Sequence, residues 1–422
     1  MHGSGPFCGG QKYIMTVKKV KSMNTSNAAQ MVRKILFRGR LIVANPSDWK
    51  YLRASRFSPA QNGVVILTHE SNRLGASMLA ENIAKEAKNQ GANIYILTRQ
   101  FGELNQEYAK IAPLQIIFSK MKMKRVLKKL HTAGYNRLLA NTVVNGDCVK
   151  IAKECGYTVV SLIHEMPKVV RQLKAENLLK KMAEYSDYMV FPTKEMQKKI
   201  TGQFCVTPNS WEIKPQGIYL QDVESDTLNK AKRDILIRLN KSERNKIVVG
   251  IGNTTERKGF DYFLEMSRLA PAEILFVWAG KKENFYDICL SRGNVPTNFI
   301  YLGKLTTAAE MAALYTIADV LAMTSRVDTF PSAVLEAMKF GTPVIGFAES
   351  GGVSEVVQNG VNGTLIDKMG DTDAFLQAII SIVQNTSQYM SLSKNAKKTA
   401  LNYSFENYVR FLMALFDEKS EV

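Results

Sequence analysis

The stretch that decides the fold runs from Ser325 to Glu355 and reads SRVDTFPSAVLEAMKFGTPVIGFAESGGVSE. The apolar run of residues 320–323 comes before it and has the length of a buried strand. Ser332 is a favourable N-cap for the helix that follows. Because Gly341 and Pro343 end that helix and lead into another apolar run, the pattern predicts a strand–loop–helix–strand unit of an α/β sheet.

Two acidic residues flank the start of this helix. Asp328 lies in the loop after the first strand, and Glu336 lies one turn inside the helix. In an open α/β sheet, ligands bind at the carboxyl ends of the strands, and the free N–H groups of a helix start favour phosphate. Pairs of acids are also common as solvated surface charge, so the neighbouring residues must decide between a site and a surface.

These neighbours are specific. Phe330 and Pro331 stand between the acids, and Leu-Glu-Ala-Met, Gly-x-Pro-Val and Gly-Gly-Val-x-Glu-Val follow. Together they closely resemble the nucleotide-sugar site of retaining glycosyltransferases of family four, which have the GT-B fold. The resemblance implies that Asp328 holds hydroxyls of the donor sugar, that Glu336 holds the ribose, and that the helix start at Phe330, Pro331 and Ser332 binds the donor. The family usually has glutamate at the first position, so Asp328 is one carbon shorter.

Length and composition bound the class of protein. The chain has 422 residues, which fit two domains, and its 45% hydrophobic and 22% charged residues are typical of a folded protein. No apolar run reaches the roughly 18–20 residues of a membrane span, and the first residues lack the apolar segment of a signal peptide. The five cysteines are scattered and form no C-x-x-C pair, which favours reduced thiols in the cytoplasm over a disulfide framework or a metal cluster.

The formal net charge is +18. Three kinds of partner attract such a chain: nucleic acid, an anionic membrane surface and phosphorylated substrates. No zinc finger, RRM signature or basic-aromatic pattern is visible, so we expect no nucleic-acid partner. Plain solubilising charge accounts for part of the lysine content.

Residues 1–62 are predicted to form a basic N-terminal extension. The apolar residues of segment 28–42 fit one face of a basic amphipathic helix. Contact of this helix with an anionic membrane surface is one interpretation. An extension packed on the surface of the next domain is the other.

The first domain is predicted to cover residues 63–222. It opens with a buried strand at 64–68, a loop, a helix and a second strand, which is the first unit of a doubly wound domain. The loop is not a G-x-G-x-x-G fingerprint, which argues against a dinucleotide-dependent dehydrogenase. In the family this loop usually carries Gly-Gly and approaches the donor phosphates; here the pair is Gly75-Ala76. His69 in the same loop is either catalytic or an ordinary hydrogen-bonding residue.

Strands and helices continue to alternate in this domain. A predicted helix from Met121 to His131 carries five lysine and arginine residues. Beside the cleft, such a helix can meet an anionic acceptor or lipid headgroups, and a solvated basic face is the alternative. Further strands are predicted at residues 115–118, 137–140, 158–163 and 188–191.

His164 follows the predicted strand of residues 158–163, at the edge of the sheet where ligands bind, and Pro167 interrupts regular structure just after it. A lone histidine often only satisfies polar groups in a core. The His-Glu-x-Pro context also resembles the active-site loop of the first domain in the family, whose histidine lies beside the transferred sugar. We therefore expect His164 to be a catalytic-site residue.

Residues 223–245 form a mixed-charge run that is predicted to be an interdomain helix and linker, and residues 246–402 form the second domain. Its first strand ends at Gly252, and the loop that follows carries Arg257 and Lys258. Lysine supplies a point charge and arginine a fork with two parallel donors, so the two suit a diphosphate next to a helix start.

The same loop matches the donor-phosphate motif of the family, a glycine followed by Lys-Gly six residues later. Most members carry arginine directly after the glycine, where this chain has Asn253, so the resemblance assigns the phosphate contacts to Gly252, Asn253, Arg257 and Lys258. It also places Leu305 at the nucleotide base. Residues 403–422 are predicted to form a helix that crosses back to the first domain, with its aromatic side chains in the core.

The sequence thus predicts an α/β protein of GT-B type with two Rossmann-like domains facing each other across a cleft. The resemblance implies a retaining transfer from a nucleotide-sugar donor to a glycan or lipid-linked acceptor, with no metal or other cofactor. We expect the chain in the cytoplasm, at the inner face of the plasma membrane in one interpretation. The alternatives are a non-catalytic GT-B partner subunit, for which Asn253, Asp328 and Ala76 argue, and a sugar-phosphate enzyme such as a phosphorylase or epimerase.

Overall fold

The computed structural model describes residues 33–37, 40–44, 46–53, 57–73, 75–240 and 245–418. Within them, two parallel sheets of seven and six strands carry helices on both faces and form two domains. This architecture confirms the predicted α/β class with two doubly wound domains.

A small hairpin precedes the first domain. Its strands β1 (Arg33–Phe37) and β2 (Arg40–Ala44) pair antiparallel, from Arg33 opposite Ala44 to Phe37 opposite Arg40. The predicted amphipathic helix is therefore wrong over these two strands, and residues 28–32 lie outside the described residues. The β-branched residues Ile35, Ile42 and Val43 favour strands, and pairing with a nearby partner strand outweighs the helical spacing of the apolar residues. A 3-10 helix, Pro46–Leu52, follows.

The first sheet has the spatial order 5-4-3-6-7-8-9 when strands are numbered along the chain. Apart from the edge strand β9, its strands are almost wholly buried, as expected when helices cover both faces. They are β3 (Val64–Thr68), β4 (Ile94–Thr98), β5 (Leu114–Ile116), β6 (Arg137–Asn141), β7 (Thr158–Leu162), β8 (Tyr188–Phe191) and β9 (Trp211–Ile213).

Seven helices lie between these strands in the described part of the first domain. They are α1 (Gly75–Asn89), α2 (Asn105–Ile111), α3 (Lys120–Thr132), α4 (Gly146–Glu154), α5 (Pro167–Gln172), α6 (Glu176–Tyr185) and α7 (Lys194–Phe204).

The second domain starts earlier than the predicted linker suggests. Helix α8 (Ser225–Leu239) buries Ile235 and Leu239 in the core of this domain. The two residues are four apart, so they lie on one face and let a highly charged helix pack along a single stripe. The charged run is thus a packed helix followed by residues 241–244, which lie outside the described residues.

The second sheet has the spatial order 12-11-10-13-14-15. Its strands are β10 (Lys246–Ile251), β11 (Ile274–Ala279), β12 (Phe299–Gly303), β13 (Val320–Met323), β14 (Val344–Phe347) and β15 (Gly363–Ile366). The helices of this part are α9 (Phe260–Leu269), α10 (Asn284–Leu290), α11 (Ala308–Ile317), α12 (Ser332–Lys339), α13 (Thr372–Gln384), α14 (Thr386–Ala400) and α15 (Phe405–Ala414).

Each sheet has one point where the strand order reverses. It lies between β3 and β6 in the first sheet and between β10 and β13 in the second. At this point the chain segments that follow the two neighbouring strands run to opposite sides of the sheet. Their separation opens a crevice outside the carboxyl ends of the strands. The two crevices are the places where the fold itself favours ligand binding.

Two chain segments join the domains side by side. Ile218 pairs with Ser404 in a parallel bridge, and its N–H donates to the carbonyl of Tyr403 at 2.9 Å. Helix α15 then buries Tyr408 and Leu412 in the core of the first domain. Since both segments pass through one place, the domains are connected there and face each other elsewhere.

None of the helices among the described residues combines the length and the apolar composition that a bilayer crossing requires.

Candidate functional site

Lys258 and Asp328 meet across the crevice of the second sheet. Lys258 comes from the loop after β10 and Asp328 from the loop after β13, and Nζ lies 2.5 Å from Oδ2. The side chains are 18% and 12% exposed, respectively. A half-buried cation and acid at a strand-order reversal form a site that can bind a phosphate and a hydroxyl next to each other.

Two glycines shape the lysine loop. Gly252 has φ 140°, and a Cβ there would lie 3.1 Å from the methylene carbons of Lys258, so the bare backbone lets the lysine stem lie across it. Gly259 has φ 67°, and a Cβ there would lie 1.9 Å from the carbonyl oxygen of Thr324. The hydroxyl of Thr324 donates to the Lys258 carbonyl at 3.0 Å, which fixes the lysine loop to the end of β13.

The backbone of the Gly-Gly motif holds the Asp328 loop. The Asp328 N–H donates to the Ser350 carbonyl at 2.8 Å, and the Gly352 N–H donates to the Asp328 carbonyl at 3.0 Å. Gly351 between them has φ 110°, and a Cβ there would lie 2.5 Å from the Asp328 carbonyl oxygen. Because glycine has no Cβ, the motif allows the two loops to approach closely.

The two arginines near this loop are engaged by protein groups. Arg257 donates from Nη1 to the Val327 carbonyl at 3.0 Å, which places its guanidinium beside the Asp328 loop. Arg326 makes a two-bond contact with Asp261, at 2.8 and 2.6 Å. Its fork thus braces the loop, and sequence analysis gave it no role.

Asn253 stands at the mouth of β10, after Gly252. Its Nδ2 lies 3.4 Å from Oε1 of Glu283, and the same carboxylate oxygen accepts from Lys281 at 2.9 Å. Where the family resemblance predicts arginine, this chain therefore has an amide tied to a neighbouring loop. Lys258 supplies the charge that faces the crevice.

Glu336 lies inside α12 and is only 8% exposed. The hydroxyl of Tyr315 in α11 donates to its Oε2 at 2.9 Å. Burial raises the pKa of Glu336, and the Tyr315 hydrogen bond and the Lys339 charge oppose that rise. A buried carboxylate held by one donor is suited to bind ribose hydroxyls with its remaining lone pairs.

The start of α12 differs from the prediction in one detail. Pro331, not Ser332, is the N-cap, and no side chain caps the helix. Proline with extended backbone ends the preceding loop, so Ser332 becomes the first helical residue. Burial and the nearby Glu336 carboxylate raise the pKa of Tyr219. Phe330 is buried in the second-domain core. Among the described residues, no side chain caps the start of this helix, which follows β13 at the carboxyl edge of the sheet.

Leu305 follows β12, next to Gly303, whose φ is 79°. Its side chain packs partly on the second-domain core. This leaves the backbone of the loop as the part that a base can contact.

His164 lies after β7, on the first-domain side of the cleft. Its Nε2 is buried and has no hydrogen-bond partner among the described residues. Burial lowers the pKa of the His164 ring to about 4, so the ring is neutral near pH 7. The His164 carbonyl accepts from the Thr329 hydroxyl at 2.8 Å, and Thr329 follows Asp328 directly. The structure thus joins the predicted histidine and the predicted acid through adjacent loops.

Glu165 positions the histidine. Its carboxylate accepts from the N–H of His164 at 3.1 Å and from the N–H of Val143 at 3.2 Å. Burial raises the pKa of Glu165, and these backbone hydrogen bonds oppose the rise. Val143 follows β6, so one buried acid links the loops at the ends of β6 and β7.

The crevice of the first sheet is bridged by His69 and Thr142. His69 Nδ1 lies 3.0 Å from Thr142 Oγ1, and His69 Nε2 lies 3.1 Å from Oε1 of Glu70. Thr142 has φ 77°, an unusual backbone angle for threonine that is often found at functional sites. His69 is therefore part of a polar network at the ligand-binding edge of the sheet.

Gly75 and Ala76 form the first turn of α1, beside this crevice. Gly75 is exposed, and a Cβ there would meet open space among the described residues. The Ala76 carbonyl accepts from Asn141 at 2.7 Å, which ties the helix start to β6. An alanine is therefore accommodated where the resemblance predicts a second glycine.

Sequence analysis assigned no role to Tyr315, Tyr219 or Glu165. Tyrosines in an apolar helix and in a crossing segment give no local signal of a polar function, because their partners come from distant parts of the chain. Glu165 had a weak signal, since it follows His164 at the end of a strand.

No group of three or more histidine, cysteine, aspartate or glutamate side chains with the arrangement of a metal site occurs in the part of the chain that the structure describes. The expectation that no metal is required stays a prediction.

Known proteins resemble this chain in sequence and fold. The family model "Glycosyl transferases group 1" matches residues 232–399. D-inositol 3-phosphate glycosyltransferase of Corynebacterium urealyticum is 33% identical over 107 residues, 25% of each chain. Alpha-galactosylglucosyldiacylglycerol synthase of Streptococcus pneumoniae is 24% identical over 185 residues, which are 42% of this chain and 47% of that protein. This chain thus aligns with less than half the length of these two relatives.

The fold likeness extends further. The crystal structure of Anabaena HepE in complex with UDP and glucose superposes with a TM-score of 0.71 at 17% identity, covering 86% of this chain and all of HepE. At this identity the likeness establishes the fold alone. Residues 232–399 of this chain are therefore similar to the group 1 glycosyl transferases, and the two domains together have the GT-B fold.

Proposed function

We propose that this chain is a retaining glycosyltransferase, which moves a sugar from a nucleotide diphosphate donor to a hydroxyl of an acceptor. The observation that carries the proposal is the Lys258–Asp328 pair at the crevice of the second sheet. Lys258 offers a cation for the diphosphate, and Asp328 offers an acid for the sugar. The two side chains are one hydrogen-bond length apart. The match of residues 232–399 to the family model and the UDP bound to HepE support a nucleotide-sugar donor.

The donor runs along the ends of the second-domain strands in this proposal. Glu336 binds the ribose, Lys258 and Arg257 bind the diphosphate together with the N–H groups at the start of α12, and the Leu305 loop contacts the base. Asp328 accepts hydrogen bonds from hydroxyls of the sugar. The electrostatic interactions of these groups with the donor are stronger in a water-poor cleft than in bulk water, since charge there is less screened.

The transfer requires no protein nucleophile. The bond between the anomeric carbon and the diphosphate oxygen breaks, and the acceptor oxygen bonds to the same face of that carbon. The departing diphosphate oxygen takes the proton of the acceptor hydroxyl, so charge and atoms balance. Lys258 stabilises the negative charge that grows on the diphosphate, and His164 orients the sugar with its neutral ring.

The acceptor enters from the first domain. The crevice between β3 and β6 offers the His69 and Glu70 side chains, which are 21% and 17% exposed. A carboxylate accepts hydrogen bonds from hydroxyls, so this edge suits a polyol such as a glycan or the headgroup of a glycolipid.

The acceptor is lipid-linked or otherwise part of a glycan made at the inner face of the plasma membrane in this proposal. Helix α3 supports it, because Met121 is 80% exposed and stands among the lysine residues of that helix. An apolar side chain within a basic face suits an anionic membrane surface.

A screen of nucleotide sugars tests the proposal. Donor hydrolysis and thermal shift are measured for the wild type and for Lys258→Ala, with cell extracts as the source of acceptor. Turnover of one donor by the wild type, with strong loss in the variant, is the expected result. Binding without turnover would instead favour a non-catalytic partner subunit, and no binding of any donor would reject the site.

A further inference from the structure

A carboxylate of the second domain caps a helix of the first domain. Glu355 Oε1 accepts from the N–H of Glu195 at 3.0 Å, and its Oε2 accepts from the N–H of Lys194 at 3.3 Å. These are the first two residues of α7. Glu355 ends the 3-10 helix Gly352–Glu355, 160 residues further along the chain than Glu195.

The helix start leaves these two N–H groups for an outside acceptor. The Thr193 hydroxyl already accepts from the N–H of Met196 at 3.1 Å. The Glu195 carboxylate, which is also near the helix start, pairs with Lys199 instead. Since the first N–H groups of a helix need partners and its N-terminus attracts negative charge, Glu355 meets both requirements from across the cleft.

The same short segment supports the sugar-binding acid. Residues 350–352 hold the backbone of Asp328 on both sides, and Glu355 follows three residues later. A second contact between the domains lies next to it, where the Thr329 hydroxyl meets the His164 carbonyl. Val327, on the other side of Asp328, packs on the core of the first domain.

We propose that Glu355 is a positioning residue: it holds the two domains closed, so that Asp328 and His164 belong to one site. This inference rests on the proposed function for its effect on turnover, but the closing of the domains does not depend on it. Glu355 is exposed, so water competes for its hydrogen bonds and the contact opens readily. A contact of this strength suits a cleft that must open to admit a donor and release a diphosphate.

Glu349 provides a matched control. It is also an exposed glutamate of the second domain, and its Oε2 accepts from the N–H of Met369 at 2.9 Å. That contact stays within the second domain. Glu349→Ala therefore removes the same kind of hydrogen bond from within one domain.

The experiment combines scattering with kinetics. The radius of gyration of the ligand-free full chain is measured by small-angle X-ray scattering for the wild type, Glu355→Ala, Glu355→Gln and Glu349→Ala. We expect Glu355→Ala to be more expanded, and its KM for the donor to rise about fivefold, as the loss of one helix cap predicts, with a smaller change in kcat. Glu355→Gln keeps one acceptor oxygen and should lie between wild type and alanine, while Glu349→Ala should match the wild type.

The outcomes separate this inference from the proposed function. An expanded Glu355→Ala protein supports the closing role even when the wild type turns over no donor, a result that would count against the enzyme. Equal radii for Glu355→Ala and Glu349→Ala would overturn the closing role, whatever the kinetics. A loss of kcat without expansion would also overturn it, because Glu355 would then act by another route.

Discussion

The ammonium of Lys258 lies 2.5 Å from Oδ2 of Asp328, and this ion pair bridges the crevice of the second sheet. The first sheet has a corresponding pair, since His69 Nδ1 lies 3.0 Å from Thr142 Oγ1 across its own crevice. The first pair joins the loops after β10 and β13, and the second pair joins the loops after β3 and β6. In each sheet these are the two strands between which the strand order reverses. The fold thus places one polar bridge at each ligand-binding edge, with a charged pair in the second domain and a hydroxyl–imidazole pair in the first domain.

Loss of the Lys258 charge should impair catalysis more than folding. Lys258→Ala removes the cation that we propose to stabilise the departing diphosphate. We expect kcat/KM to fall by about 100- to 1000-fold, the range found when one preorganised donor is removed. Lys281→Ala is the control. Lys281 pairs with Glu283 at 2.9 Å in the same domain but is 62% exposed, so its loss should leave kcat/KM unchanged. Equal effects of the two substitutions in steady-state assays would contradict the role of Lys258.

Substitution of Glu336 should weaken the binding of a nucleoside diphosphate but not the binding of inorganic pyrophosphate. Glu336→Gln weakens the hydrogen bonds to ribose, so affinity for the preferred nucleoside diphosphate should fall about 10- to 100-fold. Inorganic pyrophosphate has no ribose, and its affinity should stay the same. Titration calorimetry with both ligands checks this. The ribose role of Glu336 is wrong if both ligands weaken alike. Lys258→Ala should weaken pyrophosphate, and unchanged pyrophosphate affinity in that variant would instead contradict the diphosphate role of Lys258.

Acid should destabilise the wild type through His164. Burial lowers the pKa of this ring to about 4, whereas the unfolded chain protonates it near pH 6.5. Between these values only the unfolded state binds the extra proton, so the free energy of unfolding falls as the pH falls, by about 3 kcal/mol in total for this group.

His164→Gln isolates that contribution. Urea unfolding at about pH 7, 6 and 5 should show that the wild type loses more stability than the variant on acidification. Glu165 shifts in the opposite sense, because its raised pKa favours proton uptake by the folded state. It is present in both proteins, so its effect largely cancels in the difference. Parallel stability curves would show that His164 is not held neutral.

Local sequence predicted much of the backbone arrangement around the second-domain candidate site. The unit from β13 through α12 to β14 carries its own signals, including Gly341, which ends the helix with φ 80° as a C-terminal glycine should. The N-cap was misplaced by one residue, because Pro331 with extended backbone takes that position in place of Ser332. The loop that carries Gly252 and Lys258 was also predicted from local sequence, since the two residues are close along the chain.

Contacts between distant segments of the chain could not be predicted from the sequence. The Tyr315–Glu336 bond joins two helices, and the Glu355 cap of α7 joins two domains. Such partners are set by how the sheets face each other, and no spacing along the chain encodes them. The β1–β2 hairpin was missed for a related reason. The apolar residues have helical spacing, but each segment pairs with the other as a strand.

Gly259 should tolerate no side chain. A Cβ there would lie 1.9 Å from the Thr324 carbonyl oxygen, and the residue also has φ 67°. Gly360 is the matched control, since its φ is 73° and a Cβ would meet no atom within 4 Å. Alanine at Gly360 therefore incurs only the cost of the left-handed backbone, about 1 kcal/mol, whereas alanine at Gly259 must also push β13 away from the lysine loop.

We expect Gly259→Ala to lower the free energy of unfolding by about 3 kcal/mol or more, and Gly360→Ala by about 1 kcal/mol. Denaturant unfolding of both variants measures the difference. The strain falls on the residue after Lys258, so Gly259→Ala should also weaken binding of pyrophosphate, while Gly360→Ala should not. Equal stabilities would mean that β13 and the lysine loop are not packed as closely as the Thr324 contact implies. Lost stability with normal pyrophosphate affinity would mean that Lys258 does not need this loop conformation to bind phosphate.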